Sequence, residues 1–192
     1  MTGVQTCALP IYFLKKKNIK SIGLESPHSV TIPGAIHAWA TIHKEYGKLD
    51  FNKLFLKSIN CARKGFEITQ NVSENWKKNI SKLSNNENTK KIFLKNGKAY
   101  NFLEKFKNIP LANTLEKISK KGFKEFYEGD IAVDMVNSLK KVGGIHTLED
   151  FAKQKTERLN TISSIYKGKT LHQCPPNRSE EHTSELQSHL NL

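Results

Sequence analysis

The residues of this chain whose types could do chemistry are five of its seven histidines, His28, His37, His43, His146 and His172, the single mid-chain cysteine Cys61, and the pair Gly143-Gly144. Two imidazoles four apart on one helix face, with a glutamate after the first, would make a zinc-hydrolase site. His37 and His43 stand six apart, on different faces of a helix, and neither belongs to a His-Glu-x-x-His string. A structural or surface role is expected for the histidines, and no metal site. Cys61 lies beside Ala62 in an amphipathic run, which predicts a buried, inert thiol rather than a nucleophile. Gly143-Gly144 follows a helical run rather than a strand and lacks Gly-x-Gly-x-x-Gly spacing, so a helix C-cap is expected, not a phosphate cradle. Local chemistry assembles no complete active site.

The ends of the chain differ from its middle. Residues 1–11 carry no charge although a Lys-rich stretch follows at once, and residues 178–192, RSEEHTSELQSHLNL, contain no Lys. A synonymous encoding of Arg178–Ser188 exists whose reverse complement, in another frame, encodes Thr-Gly-Val-Gln-Thr-Cys-Ala-Leu-Pro-Ile, residues 2–11. Both ends thus read as one synthetic sequencing-library adapter translated on its two strands. Such segments are set aside before fold reasoning, which leaves residues 12–177 as the native segment. The protein is then expected to continue past both ends.

The 192 residues contain 31 Lys and Arg, of which only Arg63, Arg158 and Arg178 are Arg, against 18 Asp and Glu. Setting aside the ends removes Arg178 and three glutamates, so the net charge rises from +13 to +15. That much positive charge raises the possibility of a basic module for nucleic acid or an acidic surface. Phosphate recognition favours the arginine fork, whereas these lysines are spread over every helical run with Glu interleaved, so nucleic-acid binding is not expected. Cys61 and Cys174, the two cysteines of the native segment, are too far apart in sequence for a zinc spacing or a disulfide framework, and fit any compartment. No stretch approaches 18 apolar residues, so no membrane span is expected. Ten Phe, five Tyr and two Trp supply core material and argue against full disorder.

Helical periodicity dominates the elements that must position these residues. Pro33-Gly34 opens a run with Ile36, Trp39, Ile42 and Tyr46 on one face, closed by Gly47. Asp50 can cap a second helix carrying Phe51, Leu54, Phe55, Ile59 and Ala62, closed by Gly65. Pro110 starts a third, with Leu111, Leu115 and Ile118 inward and Gly122 as its stop. Asp130 can cap a fourth with Ile131, Met135, Leu139 and Val142 on a stripe, and Thr147 with Asp150 forms a variant capping box for a fifth. Ser84–Asn88 reads as a loop and Leu94–Gly97 as a turn, while Ser26–Pro33 and Thr161–Cys174 read as short strands. The expected fragment is mostly helical with short strands near its ends. It should fold marginally and show apolar patches around Trp39, Phe55 and Ile131.

The order of these segments resembles the large-subunit region of the γ-glutamyltransferase family. Ser29-Val-Thr-Ile-Pro-Gly34 is similar to the family's Pro-Gly helix start, and the helix ends in Lys-Glu-Tyr-Gly47-Lys-Leu. FNKLFLKSINCARKGF, residues 51–66, resembles its helix ending in Gly-Phe, and NTKKIFLKNGK, residues 88–98, its Phe-Leu-x-x-Gly turn. Pro110–Leu115, Gly122–Gly129 and Gly143–Asp150 resemble its Leu-Ala-x-Thr-Leu, Phe-Tyr-x-Gly and Gly-Gly-x-x-Thr-x-Glu-Asp elements. Tyr166–Gly168 and Cys174–Pro176 resemble the strand pair before a proline-rich, glycine-rich turn. The family typically continues that turn with Pro and Ser-Ser-Gly-Gly, whereas Asn177 follows Pro176 here.

The resemblance implies an α/β fold of the N-terminal-nucleophile hydrolase type, layered αββα in the complete protein. It implies an enzyme that transfers or hydrolyses the γ-glutamyl group of glutathione and related amides, with no metal or organic cofactor. The nucleophile would be a threonine opening a small subunit beyond Asn177, and the carboxylate-binding arginine would precede the stretch present. No catalytic or substrate-binding residue is therefore assigned, and Thr31, Thr41, Thr114 and Thr147 are excluded as nucleophile. The partners implied are γ-glutamyl small molecules and the missing small subunit. A β-lactam acylase acting on a glutaryl side chain is the nearest enzyme alternative.

Overall fold

The computed structural model describes residues 11–23 and 25–173. In chain order the elements are α1 (Ile11–Lys16), a 3-10 turn (Pro27–Ser29), α2 (Ala35–Tyr46), a 3-10 turn (Phe51–Phe55) and α3 (Leu56–Lys64). Then come β1 (Phe66–Glu67), α4 (Gln70–Lys78), α5 (Ile80–Ser84), α6 (Glu87–Phe93), β2 (Leu94–Lys95), β3 (Lys98–Ala99) and β4 (Lys105–Phe106). The rest are α7 (Ile109–Lys121), α8 (Lys124–Tyr127), α9 (Asp130–Lys141), α10 (Leu148–Ala152), β5 (Ile162–Tyr166) and β6 (Lys169–Gln173). Helices make up most of the structure, as the periodicity predicts. The Cys174–Pro176 segment, Asn177, Cys7 and residues 178–192 lie outside the described residues.

Helix ends follow local chemistry. The Thr147 hydroxyl accepts from the Asp150 N–H while the Asp150 carboxylate accepts from the Thr147 N–H, so the capping box forms. At the end of α9, Gly144 N–H donates to Leu139 O at 2.8 Å and Gly143 N–H to Lys140 O at 3.0 Å, the paired bonds of a Schellman cap. Asn108 accepts the Leu111 N–H at the start of α7. Asp50 caps nothing: its carboxylate pairs with Lys53, and the first turn after it is 3-10. Gly129, not Asp130, is the N-cap of α9, with Asp130 already inside the first turn.

Two expectations about strands and loops change. Ser26–Pro33 is not a strand: Ser26 accepts the His28 N–H and its carbonyl accepts the Ser29 hydroxyl, which closes a 3-10 turn. Pro27 and Pro33 also lack the N–H groups that a ladder needs. Ser84–Asn88 is mostly helical, because Asn86 caps α6 and leaves only Asn85 and Asn86 as the break. The Leu94–Lys98 turn is a hairpin that pairs Leu94 with Ala99 and Lys95 with Lys98. Thr161–Cys174 contains the antiparallel pair β5–β6, with Ile162 opposite Gln173 and Tyr166 opposite Lys169.

The main core gathers Ile36, Phe55, Ile118, Tyr127, Ile131, Ala132, Val136 and Phe151, with Ile59, Leu115, Phe123, Met135 and Leu139 among the side chains packed around it. Phe55 and Ile131 are buried, at 6% and 9% exposure, contrary to the expected patches. Phe51 stacks edge-on against Phe55, and α9 turns Ile131 into the body. A second cluster, not anticipated, sets Trp76, Phe93 and Tyr100 around the buried Phe106, with ring centroids 5.1–5.9 Å from it.

An ion-paired link ties α3 to α7. The Glu116 carboxylate accepts from Arg63 at 2.7 Å and pairs with Lys120 at 2.7 Å, and these partners hold its pKa down at about 2, from an ordinary 4.5. A carboxylate depressed by folding stabilises the fold above its unfolded pKa, and that share is lost as the pH falls toward the folded value. Urea titrations from pH 5 to pH 2 are therefore expected to show an acid-sensitive component that Glu116→Gln removes. Identical pH slopes for the two proteins would contradict it.

Candidate functional site

The densest polar constellation of the body lies where α2, α8 and the segment after α10 meet. Tyr127 is 3% exposed; its hydroxyl donates to Pro33 O at 2.7 Å and accepts the His37 N–H at 3.0 Å. Burial pushes the phenol above its ordinary pKa, and the N–H it accepts opposes that only in part, so it stands as a neutral donor. One phenol thus serves two backbone groups at the start of α2, a helix end whose N–H groups otherwise lack partners. The His37 ring lies edge-on to Phe123 and Tyr127, at 5.3 Å and 6.0 Å.

His37 Nδ1 accepts from Thr156: the backbone N–H lies at 3.2 Å and the hydroxyl at 2.7 Å. An N–H pointing at Nδ1 requires the lone pair there, so the ring proton sits on Nε2. The Thr41 hydroxyl lies 3.3 Å from Nδ1 but donates to His37 O at 2.8 Å, an i−4 bond within the helix. The cluster contains an imidazole, a phenol and two hydroxyls, yet their hydrogen bonds join them to one another or to backbone. It can fix chain segments, and it offers no activated nucleophile.

The other residues singled out from sequence fall separately. His43 donates from Nε2 to Leu49 O at 2.6 Å and closes the turn after α2. His146, 2% exposed, donates from Nε2 to Val30 O at 2.8 Å and pins the irregular segment before α2 to the cap of α10. His28 packs edge-on against Phe13, and His172 sits 3.3 Å from the Thr161 hydroxyl across the β5–β6 hairpin. Among the described residues, no three His, Cys, Asp or Glu side chains form a metal-holding group. Cys61 is exposed, not buried: α3 turns Ala62 into the core, and Cys61, one position earlier and about 100° around the helix, faces out. Thr147 is spent on its capping box, and Thr41 on its i−4 bond.

Several lysines reach acidic partners: Lys90 lies near Glu87, and Lys120, Lys121 and Lys153 pair with Glu116, Glu125 and Glu149. No helix among the described residues is long and apolar enough to cross a membrane. Sequence reasoning missed Tyr127, Thr156, Arg158 and Glu45 as members of one assembly. Tyr127 carried a weak signal as an aromatic beside a helix stop; Thr156 and Arg158 carried none.

Comparison with known proteins places these residues in context. The family model described as gamma-glutamyltranspeptidase matches residues 8–187. The glutathione hydrolase-like YwrD proenzyme of Bacillus subtilis is 34% identical over 162 residues, 84% of this chain and 30% of that protein. The glutathione hydrolase proenzyme of Escherichia coli is 32% identical over 145 residues, 75% of this chain and 25% of that protein. The crystal structure of Helicobacter pylori gamma-glutamyltranspeptidase superposes with a TM-score of 0.76 at 28% identity, covering 82% of this chain and 45% of that one. A cephalosporin acylase from Bacillus halodurans superposes with a TM-score of 0.81 at 27% identity, covering 90% of this chain and 33% of that one. The chain spans between a quarter and a third of the length of these curated relatives.

Proposed function

Because the chain belongs to the gamma-glutamyltranspeptidase family, we propose that it is part of the large-subunit region of an enzyme that transfers or hydrolyses γ-glutamyl groups. Its fold is α/β of the N-terminal-nucleophile hydrolase type, of which these residues form a largely helical part. The observation that carries the reading is the family match over residues 8–187, which takes in the whole of the helical body.

In the complete enzyme the precursor cuts itself before a threonine. That hydroxyl attacks the γ-glutamyl amide carbonyl, and its own α-amine takes the proton. The amide nitrogen leaves as an amine, and the acyl-enzyme passes to water or to an acceptor amine. The nucleophile is not in this chain, and the present residues hold the body against which the catalytic segments are placed. Residues 1–11 and 178–192 are adapter-derived and take no part.

A glutaryl-type acylase is the second reading, and the superposition on the cephalosporin acylase favours it. The test is to re-amplify the locus with primers inside residues 12–177, read outward past both ends, and express the completed gene. The expected outcome is a downstream threonine-led segment and hydrolysis of γ-glutamyl-4-nitroanilide by the completed enzyme, with none by the 192-residue chain. Faster cleavage of glutaryl-4-nitroanilide would select the acylase. Genomic reads that retain both flanks, with a stop after Leu192, would overturn the fragment reading.

A further inference from the structure

The hairpin β5–β6 stands apart from the helical body. Ile165 is 77% exposed and Tyr166 60%, and Ile162 and Leu171 are also exposed, so the hairpin buries little of itself against the helices. Apart from Ser164 and Gln173 the hairpin's side chains are exposed, and the chain reaches it through residues 153–161. That segment is bound to α2 at two points. Thr156 donates its backbone N–H and its hydroxyl to His37 Nδ1, and Arg158 forms an ion pair with Glu45. At the near end, the Gln154 side chain lies against Gly34, 3.3 Å from where a Cβ would stand.

The spacing is consistent with one strap laid along the helix. From His37 to Glu45 is eight residues, about 12 Å of helix. Thr156 to Arg158 covers about 7 Å of extended chain, and the long arginine side chain spans the remainder. The three contacts run in the same order along both segments: Gly34, His37 and Glu45 against Gln154, Thr156 and Arg158. The His37 bond is also directional. The backbone N–H and the hydroxyl of one residue, Thr156, both point at Nδ1, and Phe123 and Tyr127 hold the ring edge-on.

We propose that His37 and Glu45 form a two-point latch on the strap 154–158, so that α2 aims the hairpin and the chain that continues from it. His37 is thereby a positioning residue, not a catalytic one. The consequence for catalysis rests on the function proposed above, in which the chain beyond the hairpin runs toward the self-cleavage point; the latch itself does not depend on that reading.

Amide hydrogen exchange on the 192-residue chain tests it. His37→Ala should speed exchange at residues 156–162 at least tenfold while the amides of α7 and α9 keep their rates. His37→Asn, whose side-chain oxygen can take the place of Nδ1 as acceptor, should restore the slow rates. Unchanged exchange in His37→Ala, or no rescue by His37→Asn, would overturn the latch. If His37→Ala loosens α9 as well, Arg158→Ala at its exposed position decides: faster exchange confined to 156–162 supports the latch, and none refutes it. In the completed enzyme, His37→Ala should slow self-cleavage several-fold and His37→Asn should recover it. Loosening of the strap with cleavage at the wild-type rate would refute the aiming role. A completed enzyme without γ-glutamyl activity would instead defeat the functional reading and leave the exchange result standing.

Discussion

Replacing Phe151 by alanine is expected to remove about 3–5 kcal/mol of stability, the range found for emptying a buried aromatic site. Phe151 is 1% exposed and belongs to the same cluster as Ile36, Phe55, Ile118, Tyr127, Ile131, Ala132 and Val136. It is carried by α10, a helix of only five residues that its capping box starts but that the ring must anchor. Without the ring the cavity opens between that short helix and the body, and α10 has little else to keep it docked. The loss is a large fraction of the net stability of an ordinary domain, about 5–15 kcal/mol. Urea denaturation of the 192-residue chain should show the cooperative transition shifted to far lower denaturant or abolished. Phe151→Leu, which keeps most of the volume, should cost less than about 1.5 kcal/mol. A midpoint within experimental error of wild type for Phe151→Ala would mean that this ring does not sit in the core. Because the strap leaves directly from α10, its amides should also lose protection in the same variant.

The second large effect is expected at Gly65. This residue ends α3 at φ 88°, ψ 164°, a backbone region that is essentially reserved for glycine. A methyl group there would also stand 2.7 Å from Phe106 O, which belongs to the β4 strand paired with β1. Gly122 ends α7 in nearly the same conformation, φ 82°, ψ 177°, but nothing lies within 4 Å of where its Cβ would be. The two alanine variants therefore separate two physical costs. Gly122→Ala carries backbone strain alone, about 1–3 kcal/mol. Gly65→Ala carries the same strain plus a clash with a backbone carbonyl that cannot swing aside, and should lose about 1–3 kcal/mol more. Thermal melts of the two variants test the difference. Equal losses would show that the close approach of α3 and β4 is not maintained.

Much of this protein was legible residue by residue wherever a structure closes on its own neighbours. Pro33-Gly34 and Gly47 bound α2, Gly65 and Gly122 stop α3 and α7, and Gly143-Gly144 forms the C-cap expected of it. The Thr147–Asp150 capping box is present as read. These features depend on bonds that span three to five residues, so the types and spacing of the residues decide them before any packing occurs. The same punctuation, in the same order, carries the resemblance to the family that the family model then shows.

Tertiary structure alone decided which face of each element is inside. Ile36, Trp39, Ile42 and Tyr46 read as one apolar face of α2 with an exposed patch around Trp39, and that patch is present: Trp39, Ile42 and Tyr46 are 50%, 57% and 73% exposed, and Ile36 alone is buried in that helix. The His37 side of α2 faces the body, where Tyr127 and Thr156, 90 and 119 residues away in sequence, hydrogen-bond the His37 N–H and ring. Leu111 and Val142 likewise turn outward while Ala112 and Val136 are buried. Cys61 is exposed and His146 is buried for the same reason. A helical stripe tells which residues share a face; whether that face meets a partner depends on what distant segments bring to it. Hydrogen-bond partners and ring edges brought from far along the chain hold the His37 side of α2 against the body, and only the assembled structure brings them there.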